Sequence, residues 1–123
     1  MKAQELRIGN YIKFQVIDRE RIIKVDARFF RSVAISRESN EIEDNDELSD
    51  YYQPIPITPE ILEKCGFISH AINYYHLGEF YISYANIGLF EYRHRDTYVI
   101  FKHLHQLQNL YYALTGEELN YKP

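Results

Sequence analysis

Apolar and polar positions alternate over most of this chain and fall at helical spacing in two places. Gly9-Asn10 forms a turn pair that leads into residues 11–17, where apolar side chains are crowded enough to predict a strand covered on much of both faces. Asp18-Arg19-Glu20 reads as a polar turn, and residues 21–26 and 28–35 read as two more strands. Their connections are too short for helical crossovers, so the three predict an antiparallel meander. Residues 38–50 (ESNEIEDNDELSD) are poor in apolar groups and rich in charge, which predicts a mobile loop. The segment Tyr51-Tyr52-Gln53-Pro54-Ile55-Pro56-Ile57 is extended, because a residue before proline is pushed toward β or polyproline conformations.

A short helix follows over residues 59–65. Thr58 caps it, Pro59 suits its first position, Glu60 meets its positive end, and Gly66 stops it in a left-handed conformation. Ile61 and Leu62 face the core. Alternation then returns, with strands at 71–77, 79–84, 88–93 and 97–102 joined by His76-Leu77-Gly78, Ala85-Asn86-Ile87-Gly88 and His94-Arg95-Asp96. Leu104, Leu107, Leu110, Tyr111 and Leu114 recur at helical spacing until Thr115-Gly116 ends the run. The expected fold is therefore α+β in a single domain over residues 1–123. Antiparallel strands form the sheet, one short helix sits mid-chain, and an amphipathic C-terminal helix packs on the sheet through Leu107, Leu110, Tyr111 and Leu114.

Composition adds one unusual feature to an ordinary globular profile. Hydrophobic residues are 46% and charged residues 26%, but twelve Tyr and seven Phe stand beside no Trp. Tyrosine carries an apolar body and a polar tip, so such a set either fills strand faces or furnishes a recognition surface. The one cysteine, Cys65, excludes an intrachain disulfide framework. The first residues lead into no apolar signal-peptide core, and no apolar run approaches the roughly 20 residues of a bilayer span. These features predict a cytoplasmic protein with no membrane partner.

Charge is distributed unevenly. Residues 1–37 hold nine Lys/Arg against four Asp/Glu, residues 38–50 hold seven acids and no base, and the whole chain carries −4. A protein with this balance has no general affinity for polyanions, so any nucleic-acid contact has to be local.

Reactive constellations are sparse. His70, His76, His94, His103 and His105 lack the spacing at which metal ligands converge, and Cys65 has no cysteine partner. His103 and His105 stand two apart at the start of the last helix, where i and i+2 diverge. Cys65 lies at the C-terminal end of a short helix, where the dipole disfavours a thiolate. No phosphate loop, Gly-x-Ser-x-Gly elbow or HExxH is present, and the acidic stretch fails the calcium-loop pattern at Leu48. The expectation is a chain with no catalytic residues, no metal, no cofactor and no small-molecule substrate. A metal-independent ribonuclease built on Arg93, His94 and His103 is one alternative, since those residue types suit acid–base work on phosphate.

Two segments suit binding instead. One is the basic run Arg19, Arg21, Lys24, Arg28, Arg31 and Arg37 with Phe29 and Phe30 interleaved, which can engage RNA phosphates or an acidic protein surface. Alternation puts Arg21, Ile23 and Val25 on one side, so these cations do not all share a face. The other is the acidic stretch with Glu43, Asp44, Asp46 and Glu47, which can occupy a positively charged channel as a decoy.

Three segments carry a resemblance. Glu5-Leu6-Arg7-Ile8-Gly9-Asn10-Tyr11, the run from Pro54-Ile55-Pro56-Ile57-Thr58-Pro59 to Cys65-Gly66-Phe67, and His105-Gln106-Leu107-Gln108-Asn109-Leu110-Tyr111-Tyr112-Ala113-Leu114-Thr115-Gly116-Glu117-Glu118-Leu119 occur in this order. Together they resemble a family of small proteins carried by bacterial phages, prophages and other mobile elements. The closing segment is the most specific of the three. The resemblance implies a setting rather than a chemistry, and it supplies no catalytic residues. In that setting small non-enzymatic proteins often antagonise host defences. The implied function is an anti-CRISPR-type inhibitor whose partner is a host RNA-guided nuclease or its guide RNA complex. A structural or regulatory accessory of a mobile element, acting as a homo-oligomer, is the other alternative.

Overall fold

A computed structural model describes residues 1–39, the last five of these by backbone alone, and residues 48–123. The chain divides into two compact units, Met1–Ile55 and Pro56–Pro123. The fold is α+β, with two antiparallel sheets and a C-terminal helix.

In the first unit β1 (Tyr11–Val16) and β2 (Arg19–Lys24) form a hairpin, and β3 (Tyr52–Gln53) pairs with the other edge of β1. The hairpin turn is Ile17-Asp18, so Arg19 and Glu20, expected in a turn, are strand residues. Gly9 enters β1 at φ +102°, and buried Asn10 accepts the Arg7 N–H at 2.7 Å through Oδ1. The larger correction concerns residues 28–35. They are helical, within α1 (Ala27–Ser39), and the third strand of the sheet comes from beyond the acidic stretch. Asp26 explains the start of α1, because its Oδ1 accepts the Phe29 N–H at 2.9 Å and satisfies one of the donors that a helix N-terminus leaves open. Phe29, Phe30 and Val33 then fall on one helical face and pack with Leu6, Ile12, Val25, Leu48 and Tyr52. Arg28 and Arg31 lie on the exposed side. Of the expected loop 38–50, Glu38 and Ser39 belong to α1 and Leu48 is buried, while residues 40–47 lie outside the described residues.

The second unit begins with α2 (Pro59–Lys64). The Thr58 hydroxyl accepts the Ile61 N–H at 3.2 Å, and Leu62 is fully buried. Five strands follow as an uninterrupted meander in spatial order β4 (Ile68–Ala71), β5 (Tyr74–Leu77), β6 (Phe80–Asn86), β7 (Leu89–His94) and β8 (Thr97–Phe101). The segment expected as one strand at 71–77 is thus two, turned at Ile72-Asn73, with Asn73 at φ +67°. The register places Phe80, Ile82, Phe90 and Phe101 on the face that forms the core. The last helix, α3 (Leu104–Thr115), packs against that face, where Tyr111 meets Phe80 edge-on at 5.2 Å between ring centroids.

The start of α3 is tied by Gln106, whose Oε1 accepts the backbone N–H groups of Lys102 and His103, each at 3.0 Å. Its end is Gly116 at φ +76°. Its buried positions are Leu104, His105, Leu107 and Gln108, with Leu110 and Tyr111 half-buried. Leu114, expected in the packing stripe, is 46% exposed. The tail beyond α3 returns to the unit: Leu119 and Tyr121 are buried, and the Lys122 N–H donates to the Lys64 carbonyl at 3.1 Å.

Candidate binding face of the five-stranded sheet

A strand sends successive side chains to opposite faces, so β5 to β8 carry a second row beside the one in the core. Cross-strand pairing reads Tyr74 to Ser83, Ser83 to Glu91, and Glu91 to Ile100 along one line. A parallel line pairs His76 with Tyr81 and Arg93 with Tyr98. On this face Tyr74, Tyr81 and Tyr98 are 53%, 52% and 50% exposed. A soluble domain normally alternates polar residues on its open sheet face. Here half of the paired positions on the open face, Tyr74, His76, Tyr81 and Tyr98, are rings.

The rings are ordered among themselves. His76 stacks on Tyr81 at 5.3 Å and 21°. His70, from β4, stands edge-on to Tyr81 at 5.8 Å and lies 5.1 Å from His76. The His76 Nδ1 lies 3.3 Å from the Gly78 carbonyl oxygen. The polar groups form a second cluster. Tyr98 donates its hydroxyl to Glu91 Oε2 at 3.0 Å, Ser83 donates to Glu91 Oε1 at 3.3 Å, and the Arg93 guanidinium lies 4.8 Å over the Tyr98 ring. Glu91 and Arg93 offset each other, so the face has little net charge at neutral pH. Between the two clusters lies an open cleft of about 310 Å³ lined by His70, Tyr74, Tyr81, Ser83, Glu91 and Arg93.

No family model, curated protein or solved structure matches this chain.

The residues singled out from sequence are distributed differently. Arg19 and Arg21 stand on β2 beside Phe14 and Val16, and they line a groove of about 720 Å³ together with Asp18 and Glu20. Glu20 is ion-paired with Lys13 at 3.8 Å, and Arg21 lies 5.8 Å over the Phe14 ring. Lys24 is on the opposite face of the strand, over Tyr11 at 5.9 Å. Arg28 and Arg31 belong to α1, as does Arg37, whose side chain is not among those described. Phe29, expected to contact a partner, is buried, edge-on to Tyr52 at 5.1 Å. Glu43, Asp44, Asp46 and Glu47 lie outside the described residues. The basic run is therefore divided between β2 and α1.

Among the histidines, His103 and His105 come together rather than diverge, with parallel rings 5.8 Å apart, because His103 precedes the first helical residue and keeps an extended backbone. Among the described residues no cluster of three or more His, Cys, Asp or Glu is arranged to hold a metal ion. Cys65 sits at the C-terminal end of α2, 4% exposed, and burial pushes its thiol up to about 12, so it is protonated at physiological pH. The Arg93, His94 and His103 set is split: Arg93 faces the cleft, His94 points to the other side of β7, and His103 stacks on His105. The cleft assembles a different set, namely His70, Glu91 and Arg93.

The exposed face was missed from sequence although its alternation is visible as Tyr74/His76, Tyr81/Ser83, Glu91/Arg93 and Tyr98/Ile100. Each strand taken alone shows two mixed rows. Only the register, and the helix lying on the other side, show which row is left open.

Proposed function

We propose that this chain is a non-enzymatic binding protein that engages its partner through the open face of β5 to β8. The observation that carries this reading is the set of half-exposed Tyr74, Tyr81 and Tyr98, held by His70, His76, Glu91 and Arg93 rather than left as scattered side chains. Contact surfaces are enriched in Tyr and Arg and depleted in Lys and Glu, and exposed apolar area gathered in one place marks interaction sites. The test is capture of partners from a bacterial lysate by the full chain and by Tyr74→Ser/Tyr81→Ser. Partners retained by the parent and lost from the folded variant support the reading. Partners held equally by both refute it. Reversing Arg28 and Arg31 to Glu provides the contrast: loss of capture in that variant assigns contact to α1 instead.

The resemblance to mobile-element proteins narrows the partner to a host RNA-guided nuclease or its guide RNA complex in the bacterial cytoplasm, with the chain acting as an inhibitor. That step rests on the resemblance alone. Its test is target cleavage by purified effector–guide complexes in the presence of the chain, where undiminished cleavage across the effector classes rejects it.

A second reading has one observation in its favour. His70, Glu91 and Arg93 line a single cleft, and a base, an acid and a cation are what metal-free RNA cleavage requires. Turnover of labelled RNA that disappears in Glu91→Gln and His70→Ala would establish that reading in place of the first.

A further inference from the structure

Resting on the open sheet face as the contact surface, we propose that its cleft seats one unpaired guanine of a single-stranded nucleic acid. Three kinds of group meet there, and each answers one part of a nucleotide. Tyr74 and Tyr81 offer half-exposed ring faces for stacking, which accepts any base. Glu91 supplies the discrimination. Its two oxygens each accept one hydroxyl, from Ser83 and Tyr98, and these bonds fix the carboxylate in place. A carboxylate has about four lone-pair sites, so each oxygen keeps one for a further donor. Guanine is the base whose pairing edge presents two adjacent donors, its ring N–H and its amino group, at the spacing of two carboxylate oxygens. Adenine presents an amino group beside an acceptor, and an acceptor against a carboxylate is repulsive. Arg93, exposed at the rim of the cleft, is the cation for a flanking phosphate. A cleft of about 310 Å³ has room for a base with part of its sugar, and a base already paired in a duplex has no free edge to offer Glu91.

The electrostatics favour this occupant over a long basic-channel ligand. With one cation beside one carboxylate, the face neutralises about one phosphate, so affinity should fall with salt on a log–log slope near −0.7 rather than several times that.

The experiment is fluorescence anisotropy with the full chain and labelled nine-residue oligouridines carrying one central guanosine, adenosine or cytidine, each also made as DNA. The expected result is binding of the guanosine oligomer about tenfold tighter than the others, within the reach of one or two hydrogen bonds to a charged acceptor. Glu91→Gln should erase that preference, weakening the guanosine oligomer while the adenosine oligomer binds at least as well as before, since an amide supplies a donor for adenine's ring acceptor. Tyr74→Ala/Tyr81→Ala should weaken every oligomer about tenfold or more. Both variants alter exposed or half-exposed side chains, and an unchanged thermal midpoint verifies that they fold. Preference for the RNA series assigns an RNA ligand, and equal binding of the DNA series assigns single strands of either sugar.

Equal affinity for all central bases overturns the guanine assignment, and so does the absence of binding at about 100 μM, the weak end of non-specific affinity. So does self-association of the parent that the tyrosine variant abolishes, since a second copy then occupies the face. In each of these cases the lysate comparison still reports separately on the face as a contact surface.

Discussion

Leu107→Ala and Leu114→Ala remove the same isopropyl group from the same helix, and the structure assigns them different costs. Leu107 is 0% exposed and Leu114 46%. At Leu107 the truncation loses the transfer free energy of the deleted methyl groups and leaves a cavity that the surrounding side chains only partly close, which costs about 3 to 4 kcal/mol at a fully buried site. At Leu114 nearly half of the side chain is already in water and no closed cavity forms. The loss there is about half of the roughly 2 kcal/mol that complete burial of a leucine yields, reduced slightly because alanine favours the helix, leaving about 0.5 to 1 kcal/mol. Urea unfolding at equilibrium measures both. With a slope of about 1.5 kcal/mol per molar, the midpoint falls by about 2 M for Leu107→Ala and about 0.5 M for Leu114→Ala. Equal shifts for the two would refute the placement of α3, because the helical spacing on its own treats both positions as core.

Three further outcomes follow from local geometry. Ile87 begins a two-residue turn at φ +49°, a conformation that costs a β-branched residue about 1 kcal/mol or more, and it is 87% exposed. Ile87→Asn, giving the Asn-Gly pair such turns favour, should raise the thermal midpoint, and a lowered midpoint would contradict the turn assignment. Asp26→Ala removes the cap of α1 and should cost about 1 kcal/mol in urea unfolding, whereas no change would indicate that α1 starts elsewhere. Cys65 holds its proton in the fold up to about 12 against 9.0 in the open chain, so its contribution to stability is complete below 9 and declines as pH rises toward 12. Cys65→Ala should flatten that alkaline loss. A thiol reagent at pH 8 should label the parent only after denaturant is added, and rapid native labelling would show the thiol to be exposed.

Much of the fold was legible in the sequence where one residue decides a local conformation. Thr58 and Pro59 marked the start of α2, Gly66 and Gly116 the helix ends, and Ala85-Asn86-Ile87-Gly88 the hairpin between β6 and β7, whereas the turn at 72–73 was read as strand interior. The failures occurred where tertiary packing decides. Phe29-Phe30, Val33 and Ile35 carry strand propensity, and residues 28–35 fit an extended reading until the Asp26 cap is weighed with the helical spacing of Phe29, Phe30 and Val33. Reading that segment as a strand also set Phe29 among the partner-contacting residues, although its ring is buried. The candidate site was the least legible part. Its residues come from β4, β5, β6 and β7, and no sequence spacing brings Tyr74 beside Ser83 and Ser83 beside Glu91 until the hairpin registers are known.

The most direct measurement of the binding face is the change in amide chemical shifts of the full chain on titration with the guanosine-bearing oligouridine. Perturbations centred on Tyr74, His76, Tyr81, Glu91, Arg93 and Tyr98, saturating together, are the expected result. Shifts confined to β2 and α1, around Arg19 to Arg31, would contradict it and return the contact surface to the basic segment.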